Sequence, residues 1–235
     1  DRGIKPGESI DCSAMEWGGQ RFESPCKGRL TLTSAFASSS NTAALRLAKR
    51  VGLEQVVRQA RALGITTPLD PVPGLALGQS EVRLIELTSA YAAVVNKGLW
   101  KPPTTIRRLM DAETCRQDNQ RGCTSLSGAT GNSVNAGRQA IRPEVAKQMQ
   151  AMLRAVVKSG TGTGASLGGQ EGGKTGTTND GRDLLFIGYE PSRHWVLGIW
   201  LGNDDNSPSS SSSALAASLW SEIIRSAGRG GLNTR

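Results

Sequence analysis

Two short stretches carry the residue types that could do chemistry. In Glu171-Gly172-Gly173-Lys174-Thr175-Gly176-Thr177-Thr178-Asn179-Asp180-Gly181-Arg182-Asp183, one lysine sits among glycines and hydroxyl residues. Glycine carries no Cβ, so a strand edge can come close to a ligand, and threonine hydroxyls can donate hydrogen bonds to it. Lys174, Thr175, Gly176, Thr177 and Thr178 together suit an anionic substrate. Ser39-Ser40-Asn41 lies 135 residues before the lysine and offers hydroxyls and an amide. Each stretch also has a plain structural reading. The first reads equally as a glycine-rich hairpin with one solvated lysine, and the second as a helix cap. They become one site only if the fold brings the Ser39 hydroxyl to the Lys174 ammonium, because electrostatic activation and proton transfer need near hydrogen-bond reach.

The elements that must position them can be read from apolar spacing. Leu30, Leu32, Ala35 and Phe36 suggest a helix leading into Ser38, and a second runs from Thr42 to about Val51, capped by Asn41 or the serine before it and closed by Gly52. A third spans about Glu54 to Ala62, and the strongest stripe, Val82 to Val95, predicts a helix from Glu81 to Asn96 stopped by Gly98. Pro143 starts another that reaches Lys158. After the lysine stretch, Leu184 to Tyr189 and Trp195 to Leu201 read as a hairpin, and Ala214 to Ala227 as a terminal helix. Residues 1–30 are rich in Gly, Ser and Pro and read as irregular, and 111–138 as a long surface excursion. Together these predict an α+β domain, a mixed sheet covered by helices, occupying residues 1–235 as one unit.

Composition bounds the partners. The four cysteines form two local pairs, Cys12 with Cys26 and Cys115 with Cys123, without the two-residue spacing of a zinc knuckle. Two short-loop disulfides in an oxidising, extracytoplasmic compartment are expected, with free thiols the alternative. The net charge of +8 is spread along the chain without aromatic interleaving, so a solvated basic surface is expected and a nucleic-acid partner is not. Such a surface would also suit an acidic cell-envelope polymer. No apolar run approaches the roughly 18 residues that span a bilayer.

Lys174-Thr175-Gly176 and Ser39-Ser40-Asn41 are, in order, two parts of a three-part acyl-transfer signature whose first part is Ser-x-x-Lys. Taken with Gly28-Arg29-Leu30-Thr31-Leu32, Leu75-Ala76-Leu77-Gly78, Glu86-Leu87-Thr88-Ser89-Ala90-Tyr91, Ser159-Gly160-Thr161-Gly162 and Gly202-Asn203-Asp204-Asp205-Asn206, the chain closely resembles the transpeptidase domain of bifunctional class A penicillin-binding proteins. The resemblance covers nearly the whole chain. It implies a β-lactamase/transpeptidase-like fold, and serine acyl transfer that cross-links peptidoglycan stem peptides and is blocked by β-lactam antibiotics. No cofactor or metal is implied. By that resemblance Ser39 passes a proton between the catalytic groups and the leaving amine, Asn41 holds a substrate carbonyl, and Lys174 supplies positive potential. Thr175 and Thr177 bind the terminal carboxylate with Gly176 and Thr178 beside them, and the Thr177 backbone N–H forms half of an oxyanion hole.

The family's nucleophile motif belongs several tens of residues before Ser39, ahead of Asp1. One Ser-x-x-Lys occurs, Ser24-Pro25-Cys26-Lys27, but Gly28 follows at once and Cys26 belongs to a cysteine pair. The motif works by setting serine and lysine one turn apart on a helix, so this match is read as chance. The chain is therefore expected to contain no nucleophile, to lack the family's first two sheet strands, and to belong with an upstream glycosyltransferase domain and membrane anchor on the periplasmic face of the cell membrane. A non-catalytic penicillin- or peptidoglycan-binding module and a β-lactamase-like hydrolase are the alternatives.

Overall fold

Residues 3–105 and 137–229 are described by the computed structural model. The N-terminal segment, expected to be irregular, forms two antiparallel pairs: β1 (Ser9–Asp11) with β4 (Arg29–Thr31), and β2 (Met15–Trp17) with β3 (Gln20–Phe22). Strands of three residues are too short to show an apolar alternation. The local signal is Gly18-Gly19, whose φ values of +62° and +75° suit the two-residue turn of a tight hairpin. Between the two pairs, the Cys12–Cys26 disulfide closes the expected loop, with Cys12 fully buried. Cys115 and Cys123 lie outside the described residues.

Leu30, expected to be helical, pairs with Ile10 in β4, and the first helix, α1 (Leu32–Ala37), starts only after Thr31 caps it by accepting the Ser34 N–H at 3.1 Å. α2 (Asn41–Val51) is capped by Ser40, whose Oγ accepts from the Ala43 N–H, and Lys49 and Arg50 lie in its last turn, where cations suit the helix dipole. Its outer face carries the N-terminal strands. The buried Thr42 hydroxyl donates to the Cys12 carbonyl at 2.7 Å, and the Arg46 guanidinium pairs with Asp11 at 3.1 Å and donates to the Ser13 carbonyl at 2.7 Å.

α3 (Leu53–Ala62) and α4 (Leu84–Val95) follow. Extended backbone at Arg83 delays α4 by three residues relative to the expected start at Glu81. There the buried Glu86 carboxylate accepts hydrogen bonds from the Thr66 N–H and hydroxyl and from Arg83, which holds its pKa down at about 2. A two-residue ladder, β5 (Leu99–Trp100) with β6 (Arg138–Gln139), leads into α5 (Pro143–Ser159), which begins on Pro143 as expected.

The main sheet is antiparallel in the order β7 (Gly172–Thr177), β8 (Asp183–Glu190), β9 (Trp195–Gly202), with Lys174 opposite Ile187 and Phe186 opposite Ile199. Both its faces are covered, which is why β8 reads as an unbroken apolar run. On one face α6 (Ser213–Arg229) packs Ala216, Ala217, Trp220 and Ile224 against Phe186 and Ile199, with the Trp220 ring edge-on to Phe186 at 5.7 Å. On the other, Val94 of α4 and Leu153 of α5 meet Tyr189. Gly198 lets α4 approach: a Cβ there would lie 2.3 Å from the Thr88 hydroxyl. The layers are helix, sheet, helix. Among the described residues, no helix is long and apolar enough to cross a membrane.

The loop closed by Cys12–Cys26 separates its ends by 14 residues, so the cross-link should contribute about 3 kcal/mol by restricting the unfolded chain. Replacing both cysteines by alanine is expected to lower stability by that amount in urea unfolding, with little change in denaturant slope. An unchanged midpoint would show that the strands and the Arg46 contacts hold the segment alone.

Candidate active site

The serine side of the site is made by a helix end. Ser40 N–H reaches back to the Ala35 carbonyl at 2.9 Å and Ser39 N–H to the Phe36 carbonyl at 3.1 Å, the double closure of a Schellman motif. That motif requires a left-handed residue between its partners. Here the residue is Ser39, at φ +57°. Glycine is the usual occupant because any side chain costs on the order of 1 kcal/mol in this conformation. A serine in this place keeps a hydroxyl at the expense of strain, which marks the position as a candidate for function. The exposed Asn41 follows in the first turn of α2.

Among the described residues, the lysine side is an edge strand of the sheet. Gly173 lies so close over its neighbours that a Cβ would stand 2.4 Å from the Phe186 ring, and this sets β7 down against the core. Lys174 then points to the opposite face, toward the end of α1. Its ammonium donates to Ser39 Oγ at 2.8 Å and to the Thr175 carbonyl at 3.0 Å, and stands 5.8 Å from the centre of the Phe36 ring. None of these partners carries a formal charge. Burial therefore dominates, and pulls the Lys174 pKa down to about 8.

The threonines of β7 divide. Thr175 is buried, and its Oγ1 lies 2.6 Å from Thr161 Oγ1. Thr177 is exposed at the end of the strand. Thr178 N–H bonds inward to the Asp183 carbonyl at 3.1 Å, so antiparallel alternation turns the Thr177 N–H to the open edge. The Thr178 hydroxyl accepts the Asp183 N–H at 2.8 Å and donates to the Asp183 carboxylate at 3.1 Å. The Thr178 side chain thus closes the turn onto Asp183. Phe36 entered the sequence reading only in a helical stripe and Thr161 only within Ser159-Gly160-Thr161-Gly162, so their contacts with Lys174 and Thr175 were not anticipated; the glycines flanking Thr161 were the available signal.

Ser24-Pro25-Cys26-Lys27 is not helical, Cys26 is bridged to Cys12, and the Ser24 hydroxyl accepts the Cys26 N–H at 3.2 Å. Serine and lysine are thus not presented one helical turn apart. Among the described residues no cluster of His, Cys, Asp and Glu could hold a metal ion.

Residues 1–225 match the family described as penicillin binding protein transpeptidase domain. Penicillin-binding protein 1A of Aquifex aeolicus is 32% identical over 190 residues, covering 80% of this chain and 24% of that protein. Penicillin-binding protein 1B of Vibrio cholerae is 28% identical over 205 residues, covering 86% and 24%. The chain thus spans about a quarter of the length of these curated relatives. Among solved structures, the imipenem acyl-enzyme complex of penicillin-binding protein A from M. tuberculosis superposes with a TM-score of 0.75 at 22% identity, covering 96% of this chain and 56% of that one. The D,D-transpeptidase domain of a peptidoglycan glycosyltransferase from Eggerthella lenta gives 0.72 at 22%, covering 97% and 61%. These likenesses carry the fold, a β-lactamase-like transpeptidase architecture.

A half-buried ammonium costs stability while it is charged in the folded state. With the folded pKa at about 8 and an ordinary value of 10.5, the unfolded chain binds more protons between those values, so this group's contribution to stability rises with pH across that window. Lys174→Met should therefore stabilise the protein at pH 7, by about 1 kcal/mol once solvent screening is allowed for, and the gain should shrink as pH passes 8 toward 10.5. Thermal unfolding of parent and variant across that range measures it; a variant less stable at pH 7 would show that the hydrogen bonds to Ser39 and Thr175 outweigh the burial of charge.

Proposed function

The chain belongs to the penicillin-binding protein transpeptidase domain family, and on that premise we propose that its cleft serves D,D-transpeptidation of peptidoglycan stem peptides, with β-lactams as inhibitors of the same site. The observation that carries the reading is the 2.8 Å hydrogen bond from Lys174 to Ser39, made across 135 residues by a lysine desolvated on a sheet edge and a serine held in a glycine's conformation.

In the proposed reaction a serine oxygen bonds to the carbonyl carbon of the penultimate D-Ala, and the C–N bond to the terminal D-Ala breaks. The hydroxyl proton passes through Ser39 to the leaving amine, eased by the positive potential of Lys174. An amine from a neighbouring strand then bonds to the same carbon, its proton passes back through Ser39 to the serine oxygen, and the ester to serine breaks. The Thr177 N–H, facing the open edge, meets the developing oxyanion. Its hydroxyl receives the terminal carboxylate, with Thr175 behind it, and the exposed Asn41 amide takes a substrate backbone carbonyl. Ser24 is not assigned the attack, because its backbone gives it no lysine one turn away. We assign residues 1–235 to one transpeptidase unit acting outside the cytoplasm in a larger protein, alongside a glycosyltransferase domain and a membrane anchor. The Cys12–Cys26 bridge supports a place outside the cytoplasm.

Titrating the 15N-labelled chain with an acyl-D-Ala-D-Ala peptide should move the Lys174, Gly176 and Thr177 amides, and the same peptide ending in L-Ala should not. Thr177→Val should weaken the response about tenfold, the worth of one charge-assisted hydrogen bond. Equal responses to both peptides, or none, would sink the assignment. With fluorescent penicillin the 235-residue chain is expected to give no band that survives denaturation; a surviving band that vanishes in Ser24→Ala would return the attack to Ser24.

A further inference from the structure

The turn after α5, Ser159-Gly160-Thr161-Gly162, touches both walls of the cleft through one residue. Thr161 N–H donates to the Ala37 carbonyl at 3.1 Å, on the last residue of α1 and two before Ser39. Its hydroxyl lies 2.6 Å from that of Thr175, the residue after Lys174. The close approach depends on Gly160, where a Cβ would stand 2.2 Å from the Ala37 carbonyl oxygen. Thr175 is buried, but Thr161 is exposed, so its hydroxyl is not needed to fill a core. Wherever α1 and β7 move relative to each other, one of the two Thr161 bonds must stretch.

We propose that Thr161 is a positioning residue of this site, a clasp between α1 and β7 that sets the separation of Ser39 from Lys174. The inference rests on the reading of Ser39 and Lys174 as one catalytic constellation, but its geometry does not depend on the substrate. Removing the hydroxyl frees β7 at Thr175 while the backbone bond to Ala37 remains. The lysine then loses its fixed seat between Phe36, Ser39 and the Thr175 carbonyl, and water reaches the ammonium. Since those three partners are uncharged, hydration is what Lys174 gains, and its pKa should climb back toward the ordinary value.

The test is the titration of the Lys174 side chain, followed by NMR of 13C-labelled lysine in the intact chain. In Thr161→Val, which keeps the shape and drops the hydroxyl, the midpoint should rise by about one pH unit, while Thr161→Ser, which keeps the hydroxyl, should restore the parent midpoint. Thr175→Val should reproduce the shift, and the double valine variant should add nothing to either single one. A folded Thr161→Val with the parent midpoint overturns the proposal, as does a shift that serine fails to rescue. If Thr161→Val does not fold, Thr175→Val examines the same bond from the other side. No substrate is used, so a failed peptide titration would remove the transpeptidase reading and leave the clasp standing, and an unmoved midpoint would do the reverse.

Discussion

A half-buried lysine ammonium that donates to a serine hydroxyl is the interaction on which the described arrangement turns. Desolvation alone disfavours the charged form, which is why Lys174 titrates near 8. Such a group keeps its place only where the surroundings are rigid enough to deny it solvent. That rigidity comes from the sheet: β7 is pressed onto β8 at Gly173, and β8 is sealed on both faces by Trp220 from α6 and by Val94 and Leu153 from α4 and α5. Burying this core offsets the cost of holding the charge.

Strain on the other wall works in the same direction. Ser39 occupies a left-handed site that glycine would fill more cheaply, and it does so between two helices that are each capped by a neighbouring hydroxyl, Thr31 for α1 and Ser40 for α2. The Ser40 cap and the Schellman closure fix the backbone of the turn, and the Ser39 hydroxyl accepts from the Lys174 ammonium. Glycine is used in the opposite sense on the lysine wall, where Gly173 is present because no Cβ would fit. The two walls thus divide the labour. Strain is accepted where a side chain is wanted, and side chains are removed where proximity is wanted.

Much of this was legible in the sequence because long, periodic segments announce themselves: α2, α4, α5, α6 and the β8–β9 hairpin fall where apolar spacing put them, within one to three residues. The pairing of Ser39 with Lys174 followed from motif order, not from periodicity, since nothing local links residues so far apart. The N-terminal strands were not legible, because three-residue pairs show no alternation, and because Leu30 fits a helical stripe as well as it fits β4. The Thr178–Asp183 pairing was not legible for a related reason. In a run of three threonines around a glycine, side-chain direction depends on where the strand ends, and Asp183 decides that by pairing with Thr178.

The N-terminal strands matter to the site in a way that their length conceals. Thr42, one residue after Asn41, is buried and bonded to the Cys12 carbonyl, and Arg46, one turn on, holds Asp11 and the Ser13 carbonyl. These contacts fix the rotation of α2 about its own axis, and with it the place of Asn41 in its first turn. A helix held only by its apolar face, Ala43, Leu45 and Ala48, could turn by some degrees at small cost, because burial is proportional to area and has no direction. Hydrogen bonds do have direction. The disulfide loop thereby acts on the serine wall through α2, as Thr161 acts on both walls through α1 and β7, and the positions of Ser39 and Asn41 depend on contacts made outside the cleft.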